Sequence, residues 1–333
     1  MTKIGCVRGL VSWAFGVAIA VSAGGFARAA EPTVIIPFNP ALGQLPESLT
    51  SDDHGTLYAS NVSGTIQKID PIAQTFTPLA TIALPPNVVL TGIKVGPDGF
   101  IYVTSGSLSG AGAFLWRVSL DGSTVQKLVT FDPTSFPNDL VFQDDGSILL
   151  TDPFFALIYK VDPAWNVSVW LSDLLFAGNP DPNGQAFVGV HAFGVDGIAW
   201  GDRDKRELYV SNIDYGRVMR IPTDGTCAPT IHVIAEDPAL KGVDGIAVDR
   251  SGTIWAAVNS QDRIATVDEH GRISVIAQGS PLDGPSSFAF GTGRHDKKTL
   301  YIANFAITRA LSGQEAHPGI LSLPVEVPGL PLR

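Results

Sequence analysis

The sequence predicts an all-β fold: a β-propeller of six blades with four strands each, closed by an N-terminal strand in the last blade. Three observations carry this. The 333 residues are 45% hydrophobic and only 16% charged, so the chain can bury a large core. It holds 35 Gly and 24 Pro, about 18% of the chain, an excess that favours many turns and short strands over long helices. One pattern also recurs six times: a short polar motif, an apolar strand, an Asp/Gly turn, a second strand, then Asn or Asp.

The clearest copies are Val195-Asp196-Gly197-Ile198-Ala199-Trp200 and Val243-Asp244-Gly245-Ile246-Ala247-Val248. They continue into Leu208-Tyr209-Val210-Ser211-Asn212 and Ile254-Trp255-Ala256-Ala257-Val258-Asn259. Weaker copies begin at Pro46, Thr91, Pro137 and Pro285. The aligned anchor column reads Glu47, Thr91, Asn138, Asp196, Asp244, Ser286, with spacings of 44, 47, 58, 48 and 42. Six repeats of this length, each with several short strands, are a propeller signature.

Blade five displays its four strands at 244–249, 253–258, 263–268 and 273–278, joined by Arg250-Ser251-Gly252 and Glu269-His270-Gly271. Blade six lacks one strand. After 319–324 the tail carries Pro324, Pro328 and Pro331, which cannot donate into a sheet interior. Thr33-Val34-Ile35-Ile36 is strand-like and precedes blade one, so it is expected to close the ring as the outer strand of blade six.

Residues 1–29 read as a secretory leader rather than as fold. Lys3 and Arg8 precede an apolar run from Gly9 to Phe26, and Ala27-Arg28-Ala29 offers a cleavage site. Gly24-Gly25 and the Ala-x-Ala argue against an uncleaved anchor. Residues 30–333 then form a single domain that is secreted or periplasmic. The leader takes Lys3, Arg8 and Arg28, so 19 of 22 basic residues and all 32 acidic ones remain, a net charge of −13. Such a chain is no candidate for nucleic acid, and no further segment is apolar enough to enter a membrane. Cys227 is left alone, without a disulfide framework or a Cys-based zinc site.

In a propeller the first strand of each blade lines the central channel, so Glu47, Asn138, Asp196 and Asp244 should converge there. Three carboxylates about 5 Å apart repel by roughly 3 kcal/mol per pair at an effective dielectric of 20. Either their pKa values rise or a cation sits among them. Oxygen donors without His or Cys suit Ca²⁺, or less well Mg²⁺ or Mn²⁺. Asp-Gly and Asn-Asp are also ordinary turn formers, and one motif alone would mean little.

The residues Asn61, Asp152, Asn212, Asn259 and Asn304 end the second strands on the same face. So do three long loops: Ser105 to Ala113, Leu174 to Phe193 and Phe305 to Pro318. Long loops gathered on one face mark a binding face. His191, five residues before Asp196, is a candidate base or substrate donor, or else an anchor of its loop. Other chemistries are missing: there is no Gly-x-Ser-x-Gly, no His-Glu-x-x-His and no phosphate-binding loop.

The motifs Pro137-Asn138-Asp139, Val195-Asp196-Gly197 with Tyr209-Val210-Ser211-Asn212, and Val243-Asp244-Gly245 resemble those of the SMP-30/gluconolactonase/LRE-like superfamily, over nearly all of 46–329. The resemblance implies a six-bladed propeller, a divalent cation (usually calcium) in the channel, and often hydrolysis of lactones or esters. On it, Glu47, Asn138, Asp196 and Asp244 are the metal ligands, Asp244 is also the general base, and Asn138 touches substrate or metal; His191 and Asn212 are added as substrate contacts from their place on the same face, not from the resemblance. Two positions depart from the family pattern. Asp196 stands where asparagine is usual, and Ser48 follows Glu47 in place of Gly-Pro.

These readings converge on an exported, calcium-dependent hydrolase of a small lactone, ester or apolar substrate. Two alternatives stay open: a lyase or condensing and cyclising enzyme similar to strictosidine synthase, and a non-catalytic propeller pinned by calcium. The sequence does not define the oligomeric state.

Overall fold

The computed structural model describes residues 31–187, 190–223 and 229–331. The leader 1–29 and Cys227 lie outside the described residues. Six antiparallel four-stranded sheets form the ring. Their innermost strands are Pro46–Ser51, Val89–Val95, Leu140–Phe142, Val195–Trp200, Val243–Val248 and Pro285–Phe290. Each inner strand lies against those of the two neighbouring blades.

Blade six is completed as the sequence predicts. Thr33–Pro37 pairs antiparallel with Gly319–Pro324, setting Thr33 opposite Ser322 and Pro37 opposite Gly319. Ile36 and Phe38 then enter a core cluster shared by blades six and one, with Leu49, Leu57, Tyr301 and Ile320. The closing strand therefore gives blade six its fourth, outermost strand and also fills the seam between first and last blades.

The proline-rich tail adds no strand. It turns back under blade five, where Leu330 N–H donates to the Val248 carbonyl and Arg250 N–H to the Pro328 carbonyl. The three long loops stand where topology predicted, on the face where the inner strands begin. That between blades three and four contains two short 3-10 turns, Leu174–Phe176 and Pro182–Gly184. That of blade six contains the short helix Ile307–Ser312. Among the described residues no helix is long and apolar enough to cross a membrane.

Candidate active site

The inner strands are not regular where the anchor residues sit. In five blades the pairing with the second strand slips at that point: between Pro46 and Ser48, Leu90 and Ile93, Val195 and Ile198, Val243 and Ile246, and Pro285 and Ser287. A bulge re-aims a side chain that the pleat would otherwise send elsewhere. In blade three Asn138 stands just before the strand, and its N–H donates to the Thr151 carbonyl at 2.8 Å.

A row of hydroxyls holds these bulges. Ser60 Oγ donates to the Thr91 carbonyl at 2.6 Å, Thr104 Oγ1 to that of Asn138 at 2.6 Å, and Ser211 Oγ to that of Asp244 at 2.8 Å. Thr151 Oγ1 does the same for Asp196. Each hydroxyl lies on the second strand of one blade and fixes the anchor backbone of the next. The glycine after the anchor has a matching cause. A Cβ on Gly197 would lie 2.6 Å from the Asp244 carbonyl oxygen, and one on Gly245 2.5 Å from that of Ser286. Asp-Gly here is thus a close approach between blades, and neither glycine needs a positive φ.

The result brings four of the predicted residues together. Glu47, Asn138, Asp196 and Asp244 share one electrostatic environment. Burial is the main force raising the Asp196 pKa, to about 7, against the lowering effect of the neighbouring polar groups of Asp244 and Asn138. Burial also lifts Glu47 well above the carboxylate range, helped by the charges of Asp196 and Asp139 and opposed by Lys94. Asp244 is raised by burial, then by Asp196 and Glu47. Its Oδ2 accepts from Asn259 Nδ2 at 3.1 Å.

Three oxygens of this group, Glu47 Oε2, Asn138 Oδ1 and Asp196 Oδ1, are buried without a hydrogen-bond partner. Orphaned acceptors of one sign, packed together, fit a cation. Lys94 supplies one positive charge nearby, with Nζ 3.3 Å from Asp139 Oδ1. One ammonium does not balance the carboxylates of Glu47, Asp139, Asp196 and Asp244. Among the described residues no three acidic, histidine or cysteine side chains already form a finished ion cage. The donor chemistry of the unpartnered oxygens fits a hard cation.

Two residues beyond each anchor stands a buried apolar side chain: Leu49, Ile93, Leu140, Ile198, Ile246 or Phe288. Below them a cavity of about 390 Å³ opens toward the opposite face, lined in part by Lys94, Trp200, Phe290 and the tail residues Pro328 to Pro331.

His191 and Asn212 are not among the gathered donors. The His191 ring stacks on Phe154 at 3.8 Å, and its Nδ1 lies 3.3 Å from the Ala192 carbonyl oxygen. Asn212 is fully buried and its amide is engaged: Nδ2 donates to the carbonyls of Leu175 and Ala177, and Oδ1 accepts from Tyr215 N–H. In this structure Asn212 anchors the loop after Leu174. Asp152 and Asn304 work similarly, binding Phe154 N–H and the His317 carbonyl.

Sequence reasoning missed Asp214. Its carboxylate accepts from the N–H groups of Asn179, Ala186 and Phe193, at 2.9, 2.8 and 2.9 Å, and so folds the long 174–193 loop around itself. It also left Asn259 as one member of a column. The signal was its place at the end of the strand beside Asp244.

A six-bladed ring with buried carboxylates at its channel is the class that fold and site define. Residues 45–306 match the family model described as SMP-30/gluconolactonase/LRE-like region, and the chain belongs to that family. A gluconolactonase from Zymomonas mobilis subsp. mobilis is 27% identical over 242 residues, 64% of this chain and 60% of that protein. The matched region thus spans less than two thirds of that relative. Among solved structures, the calcium-binding protein regucalcin from Agrobacterium tumefaciens C58 superposes with a TM-score of 0.64 at 19% identity, covering 90% of this chain and 96% of that one. A virginiamycin B lyase from Staphylococcus aureus superposes at 0.56 and 15% identity, covering 89% of this chain and all of that one. At such identities the likeness is one of fold.

Proposed function

We propose that this protein is an exported lactone or ester hydrolase that binds calcium with Glu47, Asn138, Asp196 and Asp244. The observation that carries the reading is the set of unpartnered buried oxygens on Glu47, Asn138 and Asp196. Family membership and the Zymomonas gluconolactonase support lactone chemistry. The leader-like residues 1–29 support export.

When bound, the cation supplies an electrophile that polarises the substrate carbonyl. The chain's own residues do the rest. Asp244, oriented by Asn259, takes the proton from an attacking water. Burial alone would keep Asp244 protonated, but a neighbouring positive charge favours the carboxylate that a base requires. The buried layer from Leu49 to Phe288 floors the site, so substrate enters from the face that carries the long loops.

A panel of lactones and aryl esters, assayed with and without a chelator, tests this. Turnover that is lost on chelation and restored by calcium is the expected result. Calcium binding without turnover would leave the ring as a binding protein. Turnover indifferent to chelation would remove the metal from the mechanism.

A further inference from the structure

We propose that the substrate carries an aryl or medium-length alkyl group, seated on a stack of rings beside the carboxylates, and is not a polyhydroxylated sugar lactone. This rests on the hydrolase reading above and narrows its substrate class.

The rings form a ladder. Phe136 stacks on Phe154 with centroids 4.9 Å apart and planes at 27°. Phe154 stacks on His191 at 3.8 Å and 15°. Phe193 stands edge-on to Phe136 and to His191, each at 6.1 Å, and Phe187 packs edge-on to Phe193 at 5.9 Å. Phe136 is buried, whereas Phe154, Phe187, His191 and Phe193 are only partly covered. A ring cluster serving only as core would be closed over. This one keeps apolar surface for a guest.

The ladder is continuous with the carboxylate group. Phe136 lies two residues before Asn138, and Phe193 three before Asp196. Both are pinned through the backbone: Phe136 N–H donates to Asp152 Oδ2 at 3.1 Å, and Phe193 N–H to Asp214 Oδ2 at 2.9 Å. Rings fixed this way are a pre-formed wall.

The same bonds use up the wall's buried polar groups. Asp152 accepts from Ser135 Oγ and from the N–H groups of Phe136, Phe154 and Phe155. Asp214 is occupied by three N–H groups, and Gln185 Nε2 donates to the Asn179 carbonyl. A polyol needs a partner for every hydroxyl it desolvates, and beyond the His191 ring this wall has committed its own. Its outer margin is apolar too. Leu108, Phe155, Leu174 and Val190, from loops on the same face, are 50%, 38%, 90% and 57% exposed.

The test compares γ-lactones bearing methyl to heptyl substituents with phenyl acetate and D-glucono-δ-lactone. Calorimetric binding of 2-heptylcyclopentanone, which has no ester to cleave, runs in parallel. The expected result is a rise in kcat/KM of about fourfold per methylene until the rings are covered, with gluconolactone at least about 100-fold poorer. Phe154→Ala should flatten that slope and weaken ketone binding about tenfold, and Phe154→Leu should restore part of both. Ketone binding that Phe154→Ala weakens, without turnover of any lactone, would support the apolar seat and sink the hydrolase reading. Turnover with a flat chain-length series, a preference for gluconolactone, or failure to bind the ketone would overturn the proposal. So would equal losses on all substrates in Phe154→Ala.

Discussion

Asn259 Nδ2 and Asp244 Oδ2 lie 3.1 Å apart, joining the end of one strand of blade five to the start of its neighbour. The same amide faces the Gly284 carbonyl at 3.4 Å. Asn259 is therefore held by blade six while it orients the carboxylate of blade five, and its hydrogen bond favours the charged form of Asp244 against burial.

Asn259→Ala removes that donor. The Asp244 pKa should rise, so the acid limb of the pH–rate profile should move to higher pH. Turnover should fall about 10- to 100-fold, the usual effect of losing a group that orients a metal ligand. Melting curves establish that the variant is folded. An unmoved acid limb would show that Asp244 is not the base.

Asp196→Asn removes one of the clustered carboxylates and leaves an oxygen donor in place. The chelated variant should melt higher than the parent at neutral pH, because a buried carboxyl whose charge burial disfavours is replaced by a neutral amide. Calcium affinity should fall, since ligand charge tunes it. Titration calorimetry and melting curves of both forms check this. Unchanged apo stability together with unchanged affinity would mean that the carboxylates do not act as one site.

The pH dependence has a defined sign. Glu47, Asp196 and Asp244 all have folded pKa values above the ordinary carboxylate range, with Asp196 pushed up to about 7. The folded state then holds more protons than the unfolded one. Without metal, stability should grow as pH falls from about 8 to about 5, through the folded value of Asp196 and toward the unfolded carboxylate range, by a few kcal/mol. Calcium should flatten or reverse the trend, because protons compete with it. Chelated and calcium-loaded melting temperatures across that range measure the difference. A chelated protein that loses stability over this interval would contradict the buried carboxylate group.

The ring was legible in the sequence because its causes are local. Strand alternation, Asp/Gly turns and the spacing of Glu47, Asn138, Asp196 and Asp244 can all be read along the chain. The prolines of the tail and the orphan strand at Thr33 even announced the closure. What was hidden depends on the neighbouring blade. Gly197 looks like a turn residue, yet it is glycine because the Asp244 carbonyl approaches it. Asn212 and Asn259 read as one column along the chain, but the register place of Asn212 is taken by Val258, and Asn259 opens the turn beyond it; so one pins the backbone at Leu175 and the other touches Asp244. Lys94 looks like any surface lysine until the fold sets it beside Asp139.

Deleting residues 31–38 should destabilise the ring strongly. The outer strand of blade six would go, along with Ile36 and Phe38 at the seam with blade one. Each buried side chain of this size is worth about 2–5 kcal/mol, so a loss of the cooperative transition, or a fall in Tm well above 10 °C by rough scaling, is expected. A truncated protein that melts like its parent would refute closure by this strand.

Ser211 tests how the backbone of one blade governs the site in the next. Its Oγ accepts from Gly197 N–H and donates to the Asp244 carbonyl, both at 2.8 Å. Ser211→Ala leaves both buried groups unpaired and should cost about 1–3 kcal/mol. Blade five has Ala257 at the equivalent place, because Val258 faces Val243 as Asn212 faces Val195, so the ring tolerates alanine there and the variant should fold. The informative readout is calcium. If the hydroxyl positions the Asp244 bulge, affinity should drop beyond what Ile69→Val produces, a core change of similar cost in a cluster that holds none of the proposed ligands. Equal calcium affinities in the two variants, at equal losses of stability, would reduce the hydroxyl row to general support for the fold.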